Sequence, residues 1–137
     1  MEESIRLAFE RKETDLRTVP ILNLAYVGDS VYELILRTAF TELWTLRGQN
    51  LHKKVQQYVC AEGQAKIAQG LMAEFTEEEA AVYQRGRNSH PDSVAKHASL
   101  TSYHKATGLE ALIGYLYLSG RTDRAVELVK SGLKYAE

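Results

Sequence analysis

The 137-residue sequence predicts an all-α fold. Three observations predict it. Apolar residues recur at three- and four-residue spacing along most of the chain, as they do on one face of a helix. Nowhere do apolar and polar residues alternate as a half-buried strand requires. Caps, prolines and glycines punctuate the apolar stretches where helices would start and stop. No linker, repeat or low-complexity tract divides the chain, so one domain over residues 1–137 is expected.

The elements follow in order. Residues 2 to about 12 read as a short helix on Ile5, Leu7, Ala8 and Phe9. Thr18-Val19-Pro20 marks a helix start, with Pro20 in the first turn, where its missing N–H does no harm. A largely buried helix then runs to Phe40 or Leu43, its apolar face made by Leu24, Val27, Val31, Leu34 and Ile35. Arg47-Gly48-Gln49-Asn50 reads as a turn, and Leu51, Val55, Tyr58 and Val59 mark a third helix. Gly63 interrupts it, and Ala65, Ile67, Ala68, Leu71 and Met72 carry a fourth helix or its continuation.

Thr76-Glu77-Glu78-Glu79 is a capping box, opening a helix on Ala80, Ala81, Val82 and Tyr83 that Gly86 ends. Arg87 to about Ser99 shows no hydrophobic period and reads as a long loop, a class often functional or disordered. Thr107 to Leu118 is a second strongly apolar helix, closed by Ser119-Gly120. Thr122 caps a last amphipathic helix on Ala125, Leu128, Val129, Leu133 and Tyr135.

Composition excludes several classes. A net charge of −1 excludes overall basicity, though not a local basic patch. Cys60 is the only cysteine, which excludes an intrachain disulfide and a multi-cysteine zinc site. No apolar run is long enough for a membrane span, and Met-Glu-Glu-Ser lacks the features of a signal peptide. The expected compartment is the cytoplasm.

Two acids stand out. Gly28 and Asp29 sit together inside the Leu24–Arg37 helix. A mid-helix glycine costs about 1 kcal/mol relative to alanine. A carboxylate is rarely buried unless paired or bound to metal. Glu110 repeats the oddity in the second apolar helix, with small residues Ala106, Thr107 and Gly114 around it. That leaves room beside it for a hydrated ion or a backbone. The two acids could bind one hard cation across a helix interface, and magnesium suits a site with few carboxylates and several waters. Such an ion can make a water nucleophilic and stabilise the leaving oxygen of a phosphodiester. Alternatively, each acid pairs with a nearby Arg or Lys, or faces solvent. Glu33 could add a third carboxylate, but Arg37 four residues on favours a surface ion pair.

Arg85, Arg87 and Asn88 bracket a helix end, with Lys96, His97, His104 and Lys105 following across the loop. Lys53 and Lys54 form a second small cluster. These residues are candidate phosphate contacts, or else an ordinary solvated surface. His90, His97 and His104 are too widely spaced for a metal site unless the fold assembles one. Tyr26, Tyr32 and Leu36 lie outside the main apolar stripe, so they serve either a dimer interface or the core.

Leu24-Ala25-Tyr26-Val27-Gly28-Asp29-Ser30-Val31 resembles the signature helix of the ribonuclease III family. Thr107-Gly108-Leu109-Glu110-Ala111-Leu112-Ile113-Gly114 resembles that family's second acidic motif. The resemblance runs from about Val19 to Arg121. The length, with Arg85-Gly86-Arg87-Asn88, resembles the mini-ribonuclease III branch, which lacks a double-stranded-RNA-binding domain.

The resemblance implies a single ribonuclease III-type helical domain, with Asp29 and Glu110 as catalytic, metal-binding carboxylates. It implies Mg²⁺-dependent endonucleolytic hydrolysis of double-stranded RNA by a homodimer, with one active site per subunit. The implied role is maturation of the large-subunit (23S) ribosomal RNA precursor, with or without help from a ribosomal protein. The catalytic body would then grip the duplex itself, chiefly from Arg85 to Lys96. Ala25 and Thr107 stand where the family usually has acids. One Mg²⁺, or a second recruited with RNA, therefore fits better than a complete two-metal site. Thr107 becomes a candidate for orienting a water of that ion. Two rivals remain: a non-catalytic RNA-binding or ribosome-assembly module, and a helical interaction protein whose acids are structural.

Overall fold

The computed structural model describes residues 1–43, 45–89 and 100–137. Its helices are α1 (Glu2–Ala8), α2 (Ile21–Thr41), α3 (Gly48–Val59), α4 (Ala61–Leu71), α5 (Glu77–Arg87), α6 (Leu100–Leu118) and α7 (Thr122–Gly132). Three short 3-10 turns complete the set, and no strand is present among the described residues. The fold is all-α. Among the described residues, no helix is long and apolar enough to cross a membrane.

The other helices pack around α6. This helix is apolar nearly all round and buries Ala106 through Leu109, Ala111 through Gly114, Leu116 and Tyr117. A helix of that kind belongs inside a protein. α2, α4, α5 and α7 all lie against it. It begins at Leu100, well before the start expected at Thr107. Thr101, Ser102, His104 and Lys105 make its first turns polar, so no hydrophobic period announces them. His104 and Lys105 therefore stand on α6, and most of the loop expected from Arg87 to about Ser99 lies outside the described residues.

α2 buries Leu24, Ala25, Gly28, Val31, Tyr32, Leu36 and Phe40. This face is rotated from the expected one. Leu34 is exposed and Val27 and Ile35 are half-buried, while Tyr32 and Leu36 belong to the core. Small residues become core wherever a neighbouring backbone comes close, which a hydrophobic pattern does not weigh. Tyr32 donates its hydroxyl to the Tyr58 carbonyl at 2.8 Å, meeting an acceptor near the end of α3. The Tyr58 ring stacks on Phe40 with centroids 5.7 Å apart. Of the three residues weighed for an interface, only Tyr26 stays outside, 84% exposed.

Helix ends differ in detail from the expected ones. α1 stops at Ala8 rather than near residue 12, buries no side chain, and is followed by Glu10 at φ 55°. Pro20 is the N-cap of α2, its carbonyl accepting from the Asn23 and Leu24 N–H groups. The expected turn at 47–50 is the first turn of α3, entered through Gly48 at φ 53°. The α3–α4 break falls at Cys60, whose backbone is extended and whose sulfur accepts from the Gly63 N–H at 3.4 Å.

The capping box of α5 is present in both directions, at 3.1 Å and 2.9 Å. Gly86 does not end α5. It faces α6 instead, where a Cβ would lie 2.7 Å from that of Ala111. Arg121, not Thr122, is the N-cap of α7, and no side chain caps it. Leu133 and Tyr135 lie in a closing 3-10 turn, Leu133–Ala136.

Candidate active site

α2 and α6 meet through their main chains. A Cβ on Gly28 would stand 1.7 Å from the Glu110 carbonyl oxygen, and one on Gly114 would stand 1.9 Å from that of Leu24. No side chain fits there. Residue numbers rise along one helix as they fall along the other, so the two run antiparallel. The mid-helix glycines that look costly in sequence are what permits this contact. Room beside Glu110 at Gly114 is filled by the backbone of α2.

The crossing places Asp29 beside Glu110. The Asp29 carboxylate is near enough to act on the Glu110 carboxyl. Neither is fully buried, contrary to the sequence expectation: Asp29 is exposed and Glu110 is half-buried. Asp29 follows the contact glycine, so the helical rotation carries it to the rim. Burial, and then the neighbouring Asp29 charge, push the Glu110 carboxyl up to about 8. The nearby Gln64 amide acts in the opposite direction. Two carboxyl groups this close either share a proton or hold a cation.

Among the described residues, no third His, Cys, Asp or Glu joins the pair to make a metal cluster. Two hard oxygen ligands with one exposed side do not make a closed zinc site. They fit a cation that retains waters and completes its shell with substrate phosphate. Glu33 is committed elsewhere, in a surface pair with Arg37 at 3.0 Å. Thr107 is buried, and its hydroxyl donates to the Tyr103 carbonyl at 3.1 Å within α6.

The basic candidates separate. Gly86, flanked by Arg85 and Arg87, lies against Thr107, Gly108 and Ala111. This holds the end of α5 beside the stretch that carries Glu110. Arg85 and Asn88 are exposed there, and Arg87 is partly so. Lys53 is exposed on α3, whereas Lys54 places its ammonium over the rings of Tyr58 and Phe40, at 5.3 Å and 5.8 Å. Lys54 thus covers aromatic core. Lys96, His90 and His97 lie outside the described residues.

Gln64 is the residue that the sequence reading missed. It sits in the buried face of α4, where its amide donates to the Val59 carbonyl at 3.1 Å, and it acts to lower the Glu110 carboxyl. The signal was available, because Gln64, Ile67, Ala68 and Leu71 form one helical stripe with a single polar member.

A helical body with two paired carboxyls and a cationic helix end beside them is the framework of a metal-dependent nuclease. Comparison with known proteins agrees. The Ribonuclease III domain model matches residues 22–121. The chain is 40% identical over 120 residues to Mini-ribonuclease 3 of Symbiobacterium thermophilum, covering 88% of this chain and 92% of that one. It is 39% identical over 122 residues to Mini-ribonuclease 3 of Enterococcus faecalis, with the same two coverages. A crystal structure of a Fusobacterium nucleatum protein superposes with a TM-score of 0.77 at 26% identity, covering 88% of this chain and 97% of that one. The chain belongs to the ribonuclease III domain family and is an endoribonuclease of that type. The family acts on double-stranded RNA with a divalent metal ion.

Proposed function

We propose that the protein cleaves double-stranded RNA with Mg²⁺ held by Asp29 and Glu110, and that its substrate is the 23S ribosomal RNA precursor in the cytoplasm. One observation carries the reading: the Gly28–Gly114 contact that sets Asp29 beside Glu110. When bound, the ion activates water and stabilises the leaving oxygen of a phosphodiester. The protein supplies the rest. Asp29, on the exposed side, meets the incoming duplex, while Glu110 lies half-buried at the crossing. Arg85, Arg87 and Asn88 at the end of α5 bind phosphate and orient the duplex, with Lys53 and Lys96 as outer contacts. Thr107 accepts a hydrogen bond from a water beside Glu110.

The working unit is a homodimer in this reading. Leu22 and Tyr26 are both exposed, one turn apart on α2, and Tyr26 lies three residues before Asp29. A seam over that face sets a second acidic pair against the other strand of the duplex.

The test is cleavage of a long double-stranded RNA with Mg²⁺ by the wild type, Asp29→Asn and Glu110→Gln. Cutting by the wild type alone, with RNA binding kept by both variants, is the expected result. A wild-type protein that binds duplex without cutting it overturns the reading and favours a ribosome-assembly module.

A further inference from the structure

Several cations of the chain have a task within the fold. Arg17, Arg37, Arg121 and Arg124 each hold a carboxylate, and Lys54 lies over aromatic rings. Lys66 and Lys105 differ: among the described residues, neither forms an ion pair. The packing of α4 on α6 brings both lysines to one cleft of about 440 Å³, which Glu62, Gln69, Ser102 and Tyr135 also line. The Tyr135 ring rests on Gly70, where a Cβ would stand 2.3 Å from its nearest atoms. Lys134 places its ammonium 5.2 Å from the centre of that ring, so a third positive charge stands beside the cleft. Lys105 is half-buried, and a lysine drawn toward the interior is normally paired. Glu62, the acid among the lining residues, lies in the first turn of α4, where the helix dipole favours it.

We propose that this cleft is an outer phosphate site, in which Lys66 and Lys105 hold the backbone of a double-stranded RNA. This rests on the reading of the protein as a nuclease of such RNA. Lys105 precedes Glu110 by five residues on α6, about 7.5 Å along the axis. Five residues also turn the helix by about 500°, so Lys105 flanks the acid pair rather than joining it. The cleft therefore meets backbone beyond the phosphate being cut. Lysine ammoniums are point charges that bind phosphate without reading sequence, which suits a duplex recognised by shape. Two such charges hold a free phosphate weakly, and they contribute most when the rest of the polyanion is anchored elsewhere on the protein. A net charge of −1 hides the site, because its lysines come from separate helices.

The test is metal-free binding of a long duplex RNA across a salt series, by the wild type and by the double variant Lys66→Gln/Lys105→Gln. Lys12→Gln/Lys130→Gln removes the same charge elsewhere and serves as the control. The cleft variant should bind at least about fivefold more weakly at about 0.1 M salt, and its slope of log affinity against log salt should fall by about two, one for each lost contact. The control should stay within about twofold of wild type, with its slope nearly unchanged. In cleavage with Mg²⁺, the KM of the cleft variant should rise severalfold while kcat moves less than about twofold. A cleft variant that binds as the control does overturns the proposal.

Should the double variant not fold, Lys66→Gln, at an exposed position of α4, is judged alone, and a slope equal to that of wild type then overturns the proposal. Inorganic phosphate, titrated by calorimetry, separates the two sources of the anion. Phosphate binding that the cleft variant loses, with duplex affinity unchanged, assigns the cleft to a free phosphate species and overturns the role in RNA binding. Wild-type protein that binds no duplex breaks the nuclease reading itself, and the proposal with it.

Discussion

Glu79 and Glu110 are both glutamates drawn toward the core from helices that touch each other, and their surroundings are opposite. Glu79 takes two hydrogen bonds from Arg124, at 2.9 Å each, while closing the capping box with Thr76. The Arg124 hydrogen bond, chiefly, holds its carboxyl below the usual range. Glu110 has no guanidinium; its charged neighbour is another carboxylate, and it is pushed up to about 8. One acid is satisfied by the fold. The other faces a like charge. A buried charge supported on all sides is architecture, whereas a like-charge pair at a rim is a candidate cation site.

The contrast is tested most severely by activity. Glu110→Gln should lower cleavage about a thousandfold, the consequence of losing several kcal/mol of transition-state stabilisation. Its metal-free melting temperature at pH 9 should stay the same or rise, because a carboxylate facing a carboxylate is removed. A fall in metal-free stability would make Glu110 a structural acid like Glu79. Gly28→Ala should separate α2 from α6 and cost at least about 3 kcal/mol, with cutting lost as well, since the added carbon meets backbone rather than a flexible side chain. Denaturant titration measures the first loss and a cleavage assay the second.

Arg124→Met strands Glu79, and removing one partner of a buried pair costs about 3 kcal/mol. Chemical unfolding measures this loss, while calorimetry should show Mg²⁺ binding unchanged. The pH response of metal-free protein separates the two acids more finely. Glu110 is raised, so its contribution is full below the unfolded value of 4.5 and is lost as pH climbs through about 8. Glu79 is lowered, so its contribution is present above 4.5 and fades as pH falls through its folded value. Melting curves from pH 3 to 9 should therefore lose stability at both ends. Glu110→Gln should flatten only the alkaline side. The smallest effect belongs to the exposed Glu33–Arg37 pair, where Glu33→Ala should cost about 0.3–0.5 kcal/mol and leave cutting intact.

Much of this was legible in the sequence, for physical reasons. The capping box reads directly because both partners lie within one turn. Gly28-Asp29 and Glu110 were visible as violations, a helix breaker and two acids among apolar residues. What the violations meant was not visible, because backbone contact between α2 and α6 is a property of two helices together. The buried face of α2 was misread for the same reason: Ala25 and Gly28 carry little hydrophobicity yet lie at the closest approach. Arg124 as the partner of Glu79 depends on a fold that brings α7 to α5, and no local period encodes it. The start of α6 was missed because its first turns are polar.

The Gly28–Gly114 crossing also determines what the rest of the molecule is free to do. Where side chains set a spacing, each core substitution shifts it a little. Here two main chains already touch, and the separation of the acids has a hard stop. Repacking around α3 or α7 can make the bundle tighter or looser without drawing Asp29 and Glu110 closer together. Heat resistance can therefore be improved in those layers without retuning the chemistry, and the two glycines are the positions that any such redesign leaves alone.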